Sequence, residues 1–176
     1  MQYREFDGSG QIFVDFQFDP PVQILPQVPT CKVANTLVDV PLGTVLAKTF
    51  TGVGAVSPEK SFNLSLNCSG GLAGTSTRPF VTLTDNTDKG NVSTQLSLTS
   101  QSTASGIAIQ ILRGGDPLGY GPDSSAVGNT NQWSAGTIGH DVATYDIPLS
   151  ARYMQTGAAV GMGTANGQAT FTMSYQ

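Results

Sequence analysis

An all-β domain, either an antiparallel sandwich or a barrel, is the fold class that three features of this sequence predict. Short runs in which apolar and polar residues alternate recur along the chain, the pattern of strands with one face in a core. Turn-rich pieces separate these runs at the spacing of an antiparallel β fold. Only 11% of residues are charged, against about a quarter in an average domain. Gly, Ser, Thr, Asn and Gln supply the polarity instead, which suits strands and turns better than helices. At 176 residues the chain fits one domain with a short appendage and can bury a proper core.

The first run, "GQIFVDFQFD", reads as a strand with Ile12, Val14, Phe16 and Phe18 on one side, while Phe13 interrupts the polar side. In "PPVQILPQVPTC", which follows, Pro20, Pro21, Pro26 and Pro29 remove backbone donors and favour an extended conformation. This stretch reads as a linker or boundary. It divides the chain into an N-terminal strand and Pro-rich linker, residues 1–30, and a main domain, residues 31–176.

From Cys31 onward the pattern is steady. Strand-like runs are "CKVANTLVDVPLGTVL", "KSFNLSLNC", "RPFVTLTDN", "TQLSLTSQ", "GIAIQILRGGDPL", "ATYDIPLSARYMQTG" and "QATFTMSYQ". Between them lie "GVGAVSPEK", "SGGLAGTST", "DNTDKGN" and "GPDSSAVGNTNQWSAGTIGH", rich in turn residues. The Gly/Ser/Asn-rich stretch 119–140 is expected to be a surface excursion. No internal repeat is visible.

The last run carries a puzzle. Ala169, Phe171, Met173 and Tyr175 alternate with polar residues up to Gln176, so a half-buried strand runs to the last residue of the sequence. No Gly, Pro or charge blunts it, although exposed strand edges normally carry such protection. Something is expected to lie beside it.

Composition excludes several functions. A net charge of −4 argues against a nucleic-acid binder, which needs a basic patch. No apolar run reaches the length of a membrane span. No signal peptide is visible, since Met1 leads directly into "QYREFDGSG", so a secreted protein would stand here already trimmed. Cys31 and Cys68 lack CxxC spacing and a nearby His, which disfavours metal or redox chemistry; they read as one disulfide. Closing a loop of roughly 38 residues, it would contribute about 4 kcal/mol in the chain-entropy model.

Candidate catalytic groups are sparse. His140, the single histidine, sits beside Asp141 in "GTIGHDV", but strand neighbours point to opposite faces and no GxSxG elbow is present. A surface turn is the expectation. In "DNTDKGN", Thr87 and Lys89 stand where a calcium loop needs oxygen ligands, so this is read as a turn. "GIAIQILRGG" lacks the strand–loop–helix context of a phosphate site. Asp39, Asp116 and Asp141 are scattered, with no paired carboxylates for glycoside chemistry. Trp133 in "NTNQWSAG" could stack on a sugar or cap the core. No cofactor is expected, and an enzyme is disfavoured.

In order along the chain come a cysteine opening "CKVANTLVDVPLGTV", a second closing "SFNLSLNC", the late "GIAIQIL", then "ARYMQTG" at residues 151–157 and the terminal "ATFTMSYQ". Together these resemble the pilin domain of bacterial chaperone–usher fimbriae, over residues 31–176. The resemblance implies an incomplete immunoglobulin-like sandwich lacking its last strand, completed by donor-strand addition. The groove would lie beside Ala169, Phe171, Met173, Tyr175 and Gln176. It would be filled first by a periplasmic chaperone, then, after passage through an outer-membrane usher, by the N-terminal extension of an adjacent subunit. Four or five uncovered core positions at about 1.5–3 kcal/mol each would forfeit about 10 kcal/mol, close to the whole stability of a domain.

Residues 1–30 decide the kind of subunit. "GQIFVDFQF" alternates as a donor strand should, but no glycine interrupts it between Gln11 and Phe18, and it lies far upstream of Cys31. The stretch is more similar to the junction between a receptor-binding domain and the pilin domain of a two-domain tip adhesin. The expected role is to anchor such an adhesin to a fimbrium on the bacterial surface, any host receptor being met only through a further domain. A minor or adaptor pilin with its own donor strand, or a secreted carbohydrate-binding sandwich, are the alternatives. In the chain alone, Ile12, Val14, Phe16 and Phe18 are the candidate occupants of the groove, within one molecule or swapped between two.

Overall fold

The structure, a computed structural model, describes residues 28–176, so the strand expected at 11–18, with Ile12, Val14, Phe16 and Phe18, and most of the Pro-rich stretch lie outside the described residues. Ten strands follow in order: β1 (Thr30–Val33), β2 (Lys60–Ser69), β3 (Ser76–Thr77), β4 (Pro79–Asp85), β5 (Ile107–Arg113), β6 (Asp116–Pro117), β7 (Trp133–Ser134), β8 (Ile138–Gly139), β9 (Thr144–Gln155) and β10 (Ala169–Tyr175). The only helical turn among the described residues is the 3₁₀ turn Ala47–Thr49. The all-β expectation holds.

Two sheets form the faces of a sandwich. The larger runs β1-β2-β9-β5-β6 and the smaller β10-β4-β7, while β3 and β8 pair as a short ribbon. All ladders are antiparallel. Alternation sets which side chains face inward. β2 buries Leu64, Leu66 and Cys68, and β9 buries Ile147, Leu149 and Ala151. Val81 and Leu83 of β4 meet them from the opposite sheet, in one core cluster with Ile109.

The cysteines are joined. Cys31 and Cys68 face each other in the β1–β2 register with Sγ atoms 2.09 Å apart and Cα atoms 4.0 Å apart.

Three expectations need correction. The run 31–46 becomes a strand only at β1; residues 34–46 continue without ladder partners, because no strand among the described residues lies beside them. "TQLSLTSQ" forms no strand of its own. Leu96 instead bridges Ile109 and Leu98 bridges Gly167, so this segment crosses from one sheet towards the other. Stretch 119–140 is a surface excursion only in its middle. Tyr120 is buried where it bridges Leu83 of β4, and Ala135 and Ile138 are buried because β7 and β8 fold back onto β4 and β3.

Candidate functional site

The site is built around the edge of β10. Asn86 donates its N–H to the Gln168 carbonyl at 3.0 Å, and Gln176 donates to the Arg78 carbonyl at 3.2 Å. With the register Ala169↔Asp85 to Tyr175↔Pro79, even-numbered residues therefore exchange their backbone bonds with β4. The backbone groups of Ala169, Phe171, Met173 and Tyr175 point the other way, where no strand is paired among the described residues.

Side chains obey the same alternation. Thr170 donates to Asn86 Oδ1 at 2.7 Å, Thr172 donates to Asp123, and Gln132 donates to Ser174 Oγ at 3.2 Å, all on the outer face. Ala169, Phe171 and Met173 pack on the core cluster from the inner face, yet each is only half-buried. β4, their neighbour, is buried at Val81, Leu83 and Asp85.

Beside this edge lies a groove of about 1310 Å³. One wall is residues 36–47, beyond β1; the other is Ala169–Phe171 with the preceding loop. Phe62, Leu64, Ile109, Ile111, Leu149 and Tyr153 line its floor, side chains of the larger sheet seen through the gap. The rim is apolar too, with Leu37 at 83% and Met162 at 88% exposed. An apolar core open along a free strand edge can accept one extended chain: the edge supplies backbone bonds and the floor takes alternate side chains.

Among the remaining terminal residues, Tyr175 lies beyond the groove lining and donates its hydroxyl to the Cys31 carbonyl at 2.6 Å. Gln176 donates to Gln132 Oε1 at 2.9 Å. Burial raises the pKa of the Tyr175 and Tyr153 phenols.

Other candidate residues are dispersed. His140 and Asp141 are exposed in the turn after β8, and Asp39 and Asp116 are also exposed. No cluster of metal-ligating side chains occurs among the described residues. Trp133 packs on the core cluster, and the Arg113 guanidinium lies 4.8 Å from its ring centroid. Arg113 also donates to the carbonyls of Ser134 and Ala135. The ring caps the sandwich.

Asp85 was not singled out by the sequence beyond its turn, yet it is fully buried at the end of β4. Its carboxylate accepts from Thr87 N–H at 2.8 Å, Asp88 N–H at 3.1 Å, Asn91 Nδ2 at 2.9 Å and Ser97 N–H at 2.9 Å. Burial pushes its pKa up, but the bonds from Asn91, Ser97 and Asp88 outweigh this and hold it below the usual value. The "DNTDKGN" turn is thus organised by a buried carboxylate. Its spacing from Ser97 gave no local signal.

The sequence profile of the family described as "Fimbrial protein" matches residues 22–176. The chain belongs to that family. This fimbrial protein is similar to the F17c-G fimbrial adhesin of Escherichia coli, at 35% identity over 172 residues, covering 96% of the chain and 48% of the adhesin. It thus spans about half the length of the adhesins that it matches. Fimbrial subunit type 1 of Salmonella typhimurium is 31% identical over 150 residues, covering 83% of the chain and 76% of that subunit. Among solved structures, the fimbrial protein resembles the CupB6 tip adhesin from Pseudomonas aeruginosa, with a TM-score of 0.64 and 28% identity, over 88% of the chain and 40% of that adhesin. The fold is the immunoglobulin-like fold of pilin domains, and the family places the protein in a fimbrium at the cell surface. No helix among the described residues is long and apolar enough to cross a membrane.

Proposed function

We propose that this fimbrial domain is an acceptor for a donated strand and joins a tip adhesin to its fimbria. The observation that carries the reading is the edge of Ala169, Phe171, Met173 and Tyr175, unpaired among the described residues, beside an apolar groove of about 1310 Å³. A periplasmic chaperone supplies the first strand, and the extension of the adjacent subunit replaces it at the outer-membrane usher. The domain spans residues 31–176, and residues 1–30 belong to a preceding receptor-binding domain or its linker. Support for the adhesin comes from the F17-type relatives, of whose length this chain spans 48%. A receptor is then met through the other half. The minor-pilin alternative draws on the similarity to the Salmonella type 1 subunit. Family membership also favours a structural and adhesive role without catalysis. A carbohydrate-binding face on this domain is disfavoured, because Arg113 covers the Trp133 ring.

Co-expression with the chaperone of its own fimbrial system tests the acceptor role. The intact chain should be recovered from periplasm as a complex, and a chain lacking its last six residues should not. Equal recovery of both would overturn the proposal. Reading the gene upstream of Met1 separates the subunit types: about 150 further residues indicate the adhesin, whereas a signal peptide directly before it indicates the pilin.

A further inference from the structure

The two edges facing the groove are joined at one end. Ala34 donates to the Ser65 carbonyl at 2.8 Å, so by antiparallel alternation the even-numbered residues of β1 bond to β2. The Cys31 carbonyl therefore points away from β2, towards the side where β1 has no neighbouring strand among the described residues. Tyr175 Oη donates to that carbonyl at 2.6 Å, reaching from the last residue of β10 to the edge of β1. The far end of this bridge is anchored, because Cys31 is disulfide-bonded to Cys68 in the core. Lining residues agree with a closed end: on β10 the groove reaches only Phe171, and on β1 only Val33.

We infer that Tyr175 is a stop that sets the register of the accepted strand, a conclusion that rests on the acceptor reading above. A strand laid along β10 turns every second side chain inward. Opposite Ala169 and Phe171 those side chains enter the groove. Level with Tyr175, which is 44% exposed, the phenol reaches across to the edge of β1, and its hydroxyl already occupies the Cys31 carbonyl. A further residue pair at that end gains neither a pocket nor an acceptor. The occupant is thus an alternating apolar segment of limited length, placed by its last inward side chain before Tyr175.

Titration calorimetry with a synthetic peptide of alternating Ile and Thr tests this, alongside the same peptide carrying one further Thr-Ile pair at either end. With the intact chain, at most one of the two extensions should improve affinity. In Tyr175→Ala the other extension should also improve it, by about tenfold, equivalent to about 1.4 kcal/mol. Tyr175→Phe keeps the ring but frees the Cys31 carbonyl, and should show the same gain in weaker form, which covers the case of a poorly folding Ala variant. Improvement by both extensions in the intact chain, or no change of pattern in either variant, would overturn the stop while leaving the acceptor in place. No binding of any peptide to a chain with an intact β circular-dichroism spectrum would remove the acceptor reading and the stop together.

Discussion

Asp85 shows how one buried residue can hold a turn that looks merely polar. Its four bonds satisfy three backbone N–H groups and the Asn91 amide, and each bond to an ionised group is worth about 1.5–3 kcal/mol. Asp85→Ala should therefore cost about 3 kcal/mol of stability in urea unfolding, leaving donors unpaired. The pH dependence follows from its lowered pKa. Its contribution is complete above the unfolded carboxyl value of about 3.9 and is lost as pH falls through the folded value. The intact chain should lose melting temperature below about pH 4, and Asp85→Asn should flatten that slope. An equally steep acid limb in the variant would place the titrating group elsewhere. Arg113 makes a second case. It covers Trp133, the single tryptophan, and Arg113→Ala should cost about 1–2 kcal/mol and shift the tryptophan emission to the red. Unchanged emission would mean that the ring is not covered in solution.

Among the elements, β10 and the segment 94–99 depend on close approach across the sandwich. Gly167 sits where Leu98 bridges it, and a Cβ there would lie 2.7 Å from Leu96 Cδ2 and 3.0 Å from Ile109 Cδ1. Gly106 enters β5 at φ +69°, and a Cβ on it would collide with the Ala159 carbonyl. An L side chain is strained at that φ, and the collision is with backbone, which yields little. Gly106→Ala should lower stability by about 2 kcal/mol or more, read as a lower urea midpoint with the slope unchanged. A neutral outcome would mean that the loop holding Ala159 can move aside. The sequence showed "GIAIQIL" as a strand but could not show that the glycine before it faces another loop. That contact joins residues 53 positions apart.

At the scale of the molecule, a core left open among the described residues gains stability from whatever covers it. Residues such as Phe62, Ile111 and Phe171 face inward yet stay half-buried, so whatever covers them must stabilise the fold by mass action. A groove-binding alternating peptide at 100 times its Kd should add about 2.7 kcal/mol and raise the melting temperature by about 5–10 °C for a domain of this size. An unchanged melting temperature in the presence of bound peptide would contradict the groove as its site. The disulfide acts on the other side of the balance, through the unfolded chain. Closing a loop with a separation of 37 residues corresponds to about 4 kcal/mol, so Cys31→Ala/Cys68→Ala should unfold at much lower urea than the oxidised chain. Equal midpoints would show that the bridge only decorates a fold held by other contacts.

Period-2 alternation was enough to place β2, β4, β5, β9 and β10 in the sequence, because apolar and polar residues alternate along each of them, although on β4 the polar Thr82 and Thr84 are buried too. The terminal run up to Tyr175 was legible for the same reason, as was its lack of edge protection. Tertiary structure alone decided what surrounds that edge. Residues 35–46 carry a strand-like pattern but join no ladder among the described residues, since a strand is defined by its neighbour as much as by its own residues. Tyr120, Ala135 and Ile138 are buried within a stretch whose Gly, Ser and Asn content signals a loop. Asp85 gathers donors as far away as Ser97, and Tyr175 reaches a carbonyl 144 positions earlier in the chain. Local pattern reports which face of an element is apolar; which groups meet across the sandwich depends on loop closures that no window of sequence contains.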